Sequence, residues 1–489
     1  MNPRKTFIFG LCVLALIFVF SALLPDEIKI GTLTFRSPDL QSWFKPNTKE
    51  YKDIQDIIAF VDTTDFQHIH SKDTISSKID SIIDNNKIEI IKLKSDNFQK
   101  SISASLSIST FEYPSGQDTL LFPFFRVINK KRQSNIRILH YGDSQIEGDH
   151  ITSTIRAFMH KNFGGQGIGF IPIVPVADVA TTFQQNVSPN WKRFSVLDKQ
   201  KINVTNNRFG ISGNFVRYAP VNQNDTVAVI GLQPYYYGSR NVQTFTHVRL
   251  FYGQAQNPFS IIVNKVSTQT LQARNLIAST LWRFESSQNS LHLQLMPTSD
   301  LPDLYGISLD GEQGVAVDNL PLRGSAGFDF SRMDTTQMRE MFSMMDVEML
   351  ILQFGGNIFT IYGDNHNYYY RRFLQELLFL KSLKPGIVII VIGINDISQN
   401  TPDGYITHPN VTKIRDAQKR AAFEADCVFW DLYRAMGGDS SMPSWVFAEP
   451  PLAKKDFLHF TSRGAKIVGE MFCKAFAFEY QKFSEQMNN

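Results

Sequence analysis

Five apolar runs in this chain end in glycine-rich, amide or acidic turns, and amphipathic stretches lie between them. The first covers 136–141. It is followed by Gly142-Asp143-Ser144-Gln145-Ile146-Glu147-Gly148-Asp149 and then by 151–163, where Ile151, Ile155, Phe158 and Met159 recur at helical spacing. The others cover 314–320, 347–354, 386–392 and 427–432, with helical patterns over 335–345, 369–383 and 413–425 and a last one from 462 to about 483. Strands apolar throughout are buried on both faces, and strands alternating with helices pair in parallel through crossovers. The expected fold class is α/β, a doubly wound parallel sheet that receives ligands at the carboxyl ends of its strands.

Five such strands make a flavodoxin-like sheet of order 2-1-3-4-5. Residues 170–310 interrupt it. Runs at 248–252, 259–263 and 291–295 are β-branched, aromatic or alternating, with turn residues between them and no long amphipathic helix. This predicts an inserted all-β module, a sandwich or jelly roll. Such modules often bind carbohydrate through aromatics and amides. Trp191, Tyr235, Tyr236 and Tyr237 are the candidates, although for any single one a place in the sandwich core is the commoner role. The stretch Gly164-Gly165-Gln166-Gly167-Ile168-Gly169 ends a helix instead of linking a strand to one, so it reads as a helix stop and not a dinucleotide loop.

Ahead of the α/β pattern, Arg4 and Lys5 precede an uncharged run over 6–24. As a helix it rises about 28 Å, close to the thickness of a bilayer core. The basic flank is N-terminal, so the remainder is expected outside the cytoplasm, in the periplasm or cell envelope. A cleaved signal peptide is the rival reading. Phe20-Ser21-Ala22 lacks the small-x-small cleavage pattern, which favours an inner-membrane anchor. The expected organisation is 1–25 anchor or signal, 26–118 an exported stem, 119–169 and 311–489 the α/β domain, and 170–310 the β module. A net charge of +3 and the lack of a basic stripe interleaved with aromatics argue against nucleic acid. Of the three cysteines, Cys12 lies in the apolar segment, while Cys427 and Cys473 read as buried thiols. No ligand spacing signals a metal, and no cofactor is called for.

The chemistry is carried by Ser144 and the C-terminal Asp456-Phe457-Leu458-His459. A serine is a weak nucleophile until a base removes its proton, and the base needs an orienting partner. His459 is the candidate base and Asp456, three residues earlier, the group that fixes its tautomer. An oxyanion hole needs donors past strand ends. The Ser144 N–H, the Gly324 N–H and the Asn357 amide meet that requirement. Glu147 and Asp149 read as partners of the helix dipole, His150 as a solvated helix-start residue, His140 as a core histidine, and Asp143 as a tie within the turn.

The order Gly142-Asp143-Ser144, Gly324, Gly355-Gly356-Asn357, Asp456-Phe457-Leu458-His459 resembles the four blocks of the SGNH (GDSL-type) hydrolases over roughly 120–485. The layout, with the strings YGDSQIEGD at 141–149, FGGQGIGF at 163–170 and YGISLDGEQGVAVDNL at 305–320, is similar to the peptidoglycan O-acetylesterases, in which a carbohydrate-binding-like module interrupts the hydrolase domain. The resemblance implies a serine esterase removing acetyl groups from an O-acetylated glycan outside the cytoplasm. Two alternatives share these residues: an O-acetyltransferase using the same triad, and a glycan-binding protein with a vestigial site. One departure concerns the third block. Gly393-Ile394-Asn395-Asp396 matches the family's usual string better than Gly355-Gly356-Asn357. Topology nonetheless assigns the oxyanion role to Asn357, because strand 3 neighbours the serine strand and strand 4 lies about 4.8 Å farther out, which leaves Asn395-Asp396 as a loop-capping pair or the edge of the pocket.

Overall fold

The computed structural model describes residues 9, 27–30, 33–36, 51–62, 110–130, 134–176, 182–198, 206–220, 227–235, 242–296, 302–360, 366–402 and 404–488. Two compact units divide at residue 51. The first contributes an antiparallel pair, Glu27–Ile30 with Leu33–Arg36. The apolar run at 6–24 lies outside the described residues apart from Phe9, as does most of 26–118. Among the described residues no helix is long and apolar enough to cross a membrane.

The second unit is built on five parallel strands: β1 (Asn135–Gly142), β2 (Gly314–Pro321), β3 (Val347–Gln353), β4 (Val388–Ile392) and β5 (Val428–Trp430). Their order is β2-β1-β3-β4-β5, the doubly wound arrangement expected from the alternating pattern. The helices are α1 (His150–Phe163), α2 (Thr335–Met344), α3 (His366–Leu383), α4 (Asn410–Glu424) and α5 (Ser462–Asn488). Because side chains alternate along a strand, β1 feeds two cores. Leu139 and Tyr141 pack with Met338, Phe373 and Ile414 of α2, α3 and α4. Ile136 and Ile138 pack with Ile151 and Ile155 of α1 and Phe472 and Phe476 of α5. Phe111 and Glu112 also belong to this unit. Phe111 is buried in the second core, and Glu112 exchanges backbone hydrogen bonds with Phe429 of the edge strand β5 at 2.7 and 2.9 Å.

Between α1 and β2 the chain forms two antiparallel sheets, of five and six strands. Their facing sides share a core containing Val248, Leu250, Ile261, Leu293 and Ile230, so the insertion is a sandwich. The six-stranded sheet turns its other side, with Phe215, Phe251 and Tyr305, into the core shared with Leu139 and Leu320. Entry and exit are adjacent: Gly169–Ile171 pairs with Asp303–Asp310. The glycine-rich helix stop allows this contact. A β-carbon at Gly167 would lie 2.0 Å from the Leu309 carbonyl oxygen. Arg137 of β1 clamps the exit with hydrogen bonds to Asp310 at 2.6 Å and Asp318 at 2.7 Å, all three side chains buried. Cys427 and Cys473 are free and buried, as expected.

Candidate active site

Ser144 sits in the turn that follows β1, and neighbouring strand ends hold that turn. The Asp143 N–H donates to the Gln353 carbonyl at 3.1 Å and the Leu322 N–H donates to the Gly142 carbonyl at 2.7 Å. The Asp143 carboxylate accepts from the Gln145 N–H at 3.0 Å and the Gly356 N–H at 3.2 Å. Burial pushes the Asp143 pKa up to about 6, against the pull of those N–H donors. A side chain at Gly142 has no room, because its β-carbon would lie 2.8 Å from the Gln353 carbonyl oxygen. Asp143 thus ties the turn, as its sequence position suggested, and fixes the ends of β1 and β3 together.

His459 approaches from the loop between β5 and α5. Its Nε2 is 2.8 Å from the Ser144 Oγ, and its Nδ1 is 2.9 Å from Asp456 Oδ2. A carboxylate only accepts, so Nδ1 is the protonated nitrogen and Nε2 is left to accept the serine proton. Asp456 Oδ1 accepts from the Leu458 and His459 N–H groups, each at 3.0 Å, which closes the three-residue spacing into a rigid turn. Partial burial of Asp456 raises its pKa, but the donors on His459 and Leu458 outweigh it and hold the carboxyl below its usual range. Phe457 takes the left-handed conformation at φ 56° and stacks on Tyr405 with ring centroids 3.8 Å apart.

The three residues named from the sequence as candidates come together in the structure, braced by Gln145, which the sequence did not single out, and by the pair Asn395-Asp396. The Gln145 amide donates to the Leu458 carbonyl at 2.7 Å and to Asn395 Oδ1 at 3.1 Å. Asn395 is buried and its Nδ2 donates to the carbonyls of Leu458 at 3.0 Å and Asp396 at 2.8 Å. Asp396, also buried, accepts from Thr407 Oγ1 at 2.7 Å and the Met442 N–H at 2.8 Å. The pair after β4 therefore braces the histidine loop.

Of the expected oxyanion donors, Gly324 lies past β2 with φ 83°, exposed, with nothing within 4 Å of a β-carbon position. Asn357 lies past β3, half-buried, and donates one Nδ2 hydrogen to the Ser325 carbonyl at 3.1 Å. The amide nitrogen carries two hydrogens, so one remains. Among the described residues no group of three or more His, Cys, Asp or Glu side chains is placed to hold a metal ion.

The chain shares its architecture with a solved peptidoglycan O-acetylesterase at 18% identity and a TM-score of 0.61, over 77% of this chain and 99% of that one. The two proteins share one fold. Two other solved structures overlap less. A family two carbohydrate esterase from Cellvibrio japonicus matches at 7% identity over 51% of this chain and 88% of that one, with a TM-score of 0.19. An acetyl xylan esterase matches at 11% over 33% and 81%, with a TM-score of 0.26. No protein-family model and no curated protein matches the chain.

Within this fold the expectations for Asp149, Glu147 and His150 are corrected. Asp149 and Glu147 are not dipole partners of α1. Asp149 occupies the N-cap position at φ 61° without accepting a capping bond, and its buried carboxylate pairs with Arg156 at 2.8 and 3.1 Å. Glu147 pairs with the exposed Arg323 at 3.3 Å. Arg156, two turns along α1, and Arg323, distant in sequence, supply partners that the local dipole argument overlooked. His150 is half-buried, not merely solvated, with Nε2 3.1 Å from the Ser462 Oγ. His140 is the expected core histidine, its Nδ1 2.9 Å from Thr152 Oγ1, and burial lowers its pKa to about 3. Trp191 packs partly buried against the sandwich core, its indole N–H donating to the Val229 carbonyl at 3.2 Å. Tyr235 is 39% exposed, and Tyr236 and Tyr237 lie outside the described residues.

Proposed function

We propose that this protein is a serine esterase that removes O-acetyl groups from an extracytoplasmic polysaccharide such as peptidoglycan. The observation that carries the reading is the continuous chain from Ser144 Oγ through His459 to Asp456, at 2.8 and 2.9 Å, placed at the carboxyl end of the parallel sheet. His459 takes the proton as Ser144 Oγ attacks the acetyl carbonyl carbon. Asp456 stabilises the imidazolium that forms. The Ser144 and Gly324 N–H groups and the free Asn357 amide hydrogen receive the negative oxygen. As the tetrahedral intermediate collapses, the ester C–O bond breaks, His459 protonates the departing sugar oxygen, and the acetyl group stays on Ser144. A water molecule, deprotonated by His459, then attacks the acetyl-enzyme, and acetate and free serine result.

The solved peptidoglycan O-acetylesterase with the same fold makes acetyl esters of polysaccharides the first substrates to try. The apolar segment at 6–24 supports a location in the periplasm or cell envelope, with the chain anchored in the inner membrane. The test is acetate release from O-acetylated peptidoglycan, xylan and alginate. Release from at least one, with the acetyl-free glycan as co-product, is expected. No release from any of them, together with no labelling of Ser144 by a fluorophosphonate probe, contradicts the reading.

A further inference from the structure

A cleft of about 280 Å³ opens where the sandwich meets the serine turn, and the proposed acyl chemistry uses none of its walls. On the hydrolase side it is lined by Glu147, three residues past Ser144, by Asn319, whose amide donates to the Ile146 carbonyl at 2.9 Å, and by Pro321, which leads into the turn bearing Gly324. The cleft therefore meets the serine turn at Glu147 and the end of β2 at Pro321. On the insertion side it is lined by Phe183, Gln184 and Asn186 and by Tyr235.

The two walls are fastened together. Thr182, immediately before the insertion strand Phe183–Val187, donates its hydroxyl to the buried Asp149 carboxylate. The Tyr235 N–H donates to the Thr182 carbonyl at 2.9 Å. The aromatic wall is thus held in a fixed relation to the start of α1 and, through it, to Ser144.

The chemistry of the lining selects its occupant. Tyr235 offers an exposed aromatic ring, while Phe183 packs partly buried against the sandwich core. Gln184 and Asn186 offer exposed amides that donate and accept without titrating. Each charged side chain lining the cleft is matched by an opposite charge: Asp149 with Arg156, and Glu147 with Arg323. An anionic sugar would have to break one of those pairs, whereas a neutral one has an apolar face for the Tyr235 ring and hydroxyls for the amides.

We propose that this cleft, which meets the serine turn at Glu147, is a sugar subsite, and that it holds an uncharged pyranose of the glycan, stacked on Tyr235 and hydrogen-bonded by Gln184 and Asn186. That the bound glycan is the one being deacetylated rests on the esterase reading; that the cleft binds neutral sugar does not.

Binding is measured by calorimetry on the Ser144→Ala protein with chitotetraose, xylotetraose and tri-galacturonate, none of which carries an ester to cleave. At least one neutral oligosaccharide is expected to bind, with Tyr235→Ala weakening it about tenfold or more, the scale of a lost aromatic contact of roughly 1.4 kcal/mol. Asn186→Ala, at an exposed position, is expected to weaken it by a smaller factor. Tyr368→Ala, exposed on α3, leaves affinity as it was and serves as the control. Binding of tri-galacturonate alone, no binding of either neutral oligosaccharide, or neutral binding indifferent to both cleft variants overturns the proposal. A failure of the esterase reading shows instead as absent acetate release by the unsubstituted protein while oligosaccharide binding persists.

Discussion

At the end of β3 the chain runs Gly355-Gly356-Asn357, and at the end of β4 it runs Gly393-Ile394-Asn395-Asp396. Both strands belong to the same parallel sheet and deliver an asparagine to its carboxyl edge. Asn395 is buried, with its Nδ2 shared between two carbonyls and its Oδ1 accepting from Gln145. Asn357 is half-buried and spends one amide hydrogen, on Ser325. The Gly356 N–H is bound to Asp143 directly before the nucleophile, whereas Asn395 reaches the serine turn only through Gln145 and the histidine loop through Leu458. Similar strings thus do different work. The asparagine beside β1 keeps one amide hydrogen free, and the asparagine on the next strand out is spent on the loop that bears His459. Adjacency to β1, not agreement with a motif, is the ground on which Asn357 is proposed as the oxyanion donor.

That division can be broken by substitution. Asn357→Ala is expected to lower kcat for acetate release by about 10²- to 10³-fold, the cost of losing one oxyanion donor, while the melting temperature stays close to that of the parent. An equal loss of stability and rate would make Asn357 a structural residue like Asn395. Asn395→Ala is expected to act in the opposite manner. It removes the Nδ2 donor from the carbonyl of the buried Asp396 and one of two side-chain donors from the half-buried Leu458 carbonyl, which keeps Gln145, and should cost about 1–3 kcal/mol of folding free energy, read by denaturant unfolding, with a smaller effect on rate. A stable Asn395→Ala protein with kcat reduced a thousandfold would reverse the two assignments.

The smallest expected effect concerns pH. The Asp456 carboxyl lies below its ordinary value of 3.8 in the folded protein, so it stabilises the fold fully above that value and ceases to do so as pH falls through its folded pKa. The stability difference between the parent and Asp456→Asn should therefore be constant near neutrality and shrink below about pH 4. A difference that grows on acidification would mean that the carboxyl is not held ionised by His459 and its neighbours.

The sheet was legible because its strands are apolar on both faces and end in turn residues. Val347–Gln353 and Val388–Ile392 carry the periodicity of buried parallel strands without ambiguity. Ser144, Asp456 and His459 could be named as candidates because a serine, a histidine and an acid are chemically distinctive types, each placed where a strand or turn ends, and the structure brings the three side chains together. The supporting contacts left no such trace. Gln145 looks like any polar turn residue until the loop containing Leu458, more than 300 residues later, folds over it. Asp149 looks like a partner of the helix dipole until Arg156 and Thr182 claim its carboxylate, the latter from within the insertion. Tyr235 could be placed in a β-rich region but not on a cleft wall, because that depends on how the sandwich meets the sheet.

The central claim is that the Ser144 hydroxyl, activated by His459, is the group that takes the acyl chain. It is tested most directly by measuring acetate released from O-acetylated polysaccharide by the parent protein and by Ser144→Ala, with melting temperature as the check on folding. Loss of release by at least about 10⁴-fold at unchanged melting temperature is the predicted result. Undiminished acetate release by a folded Ser144→Ala protein would contradict it.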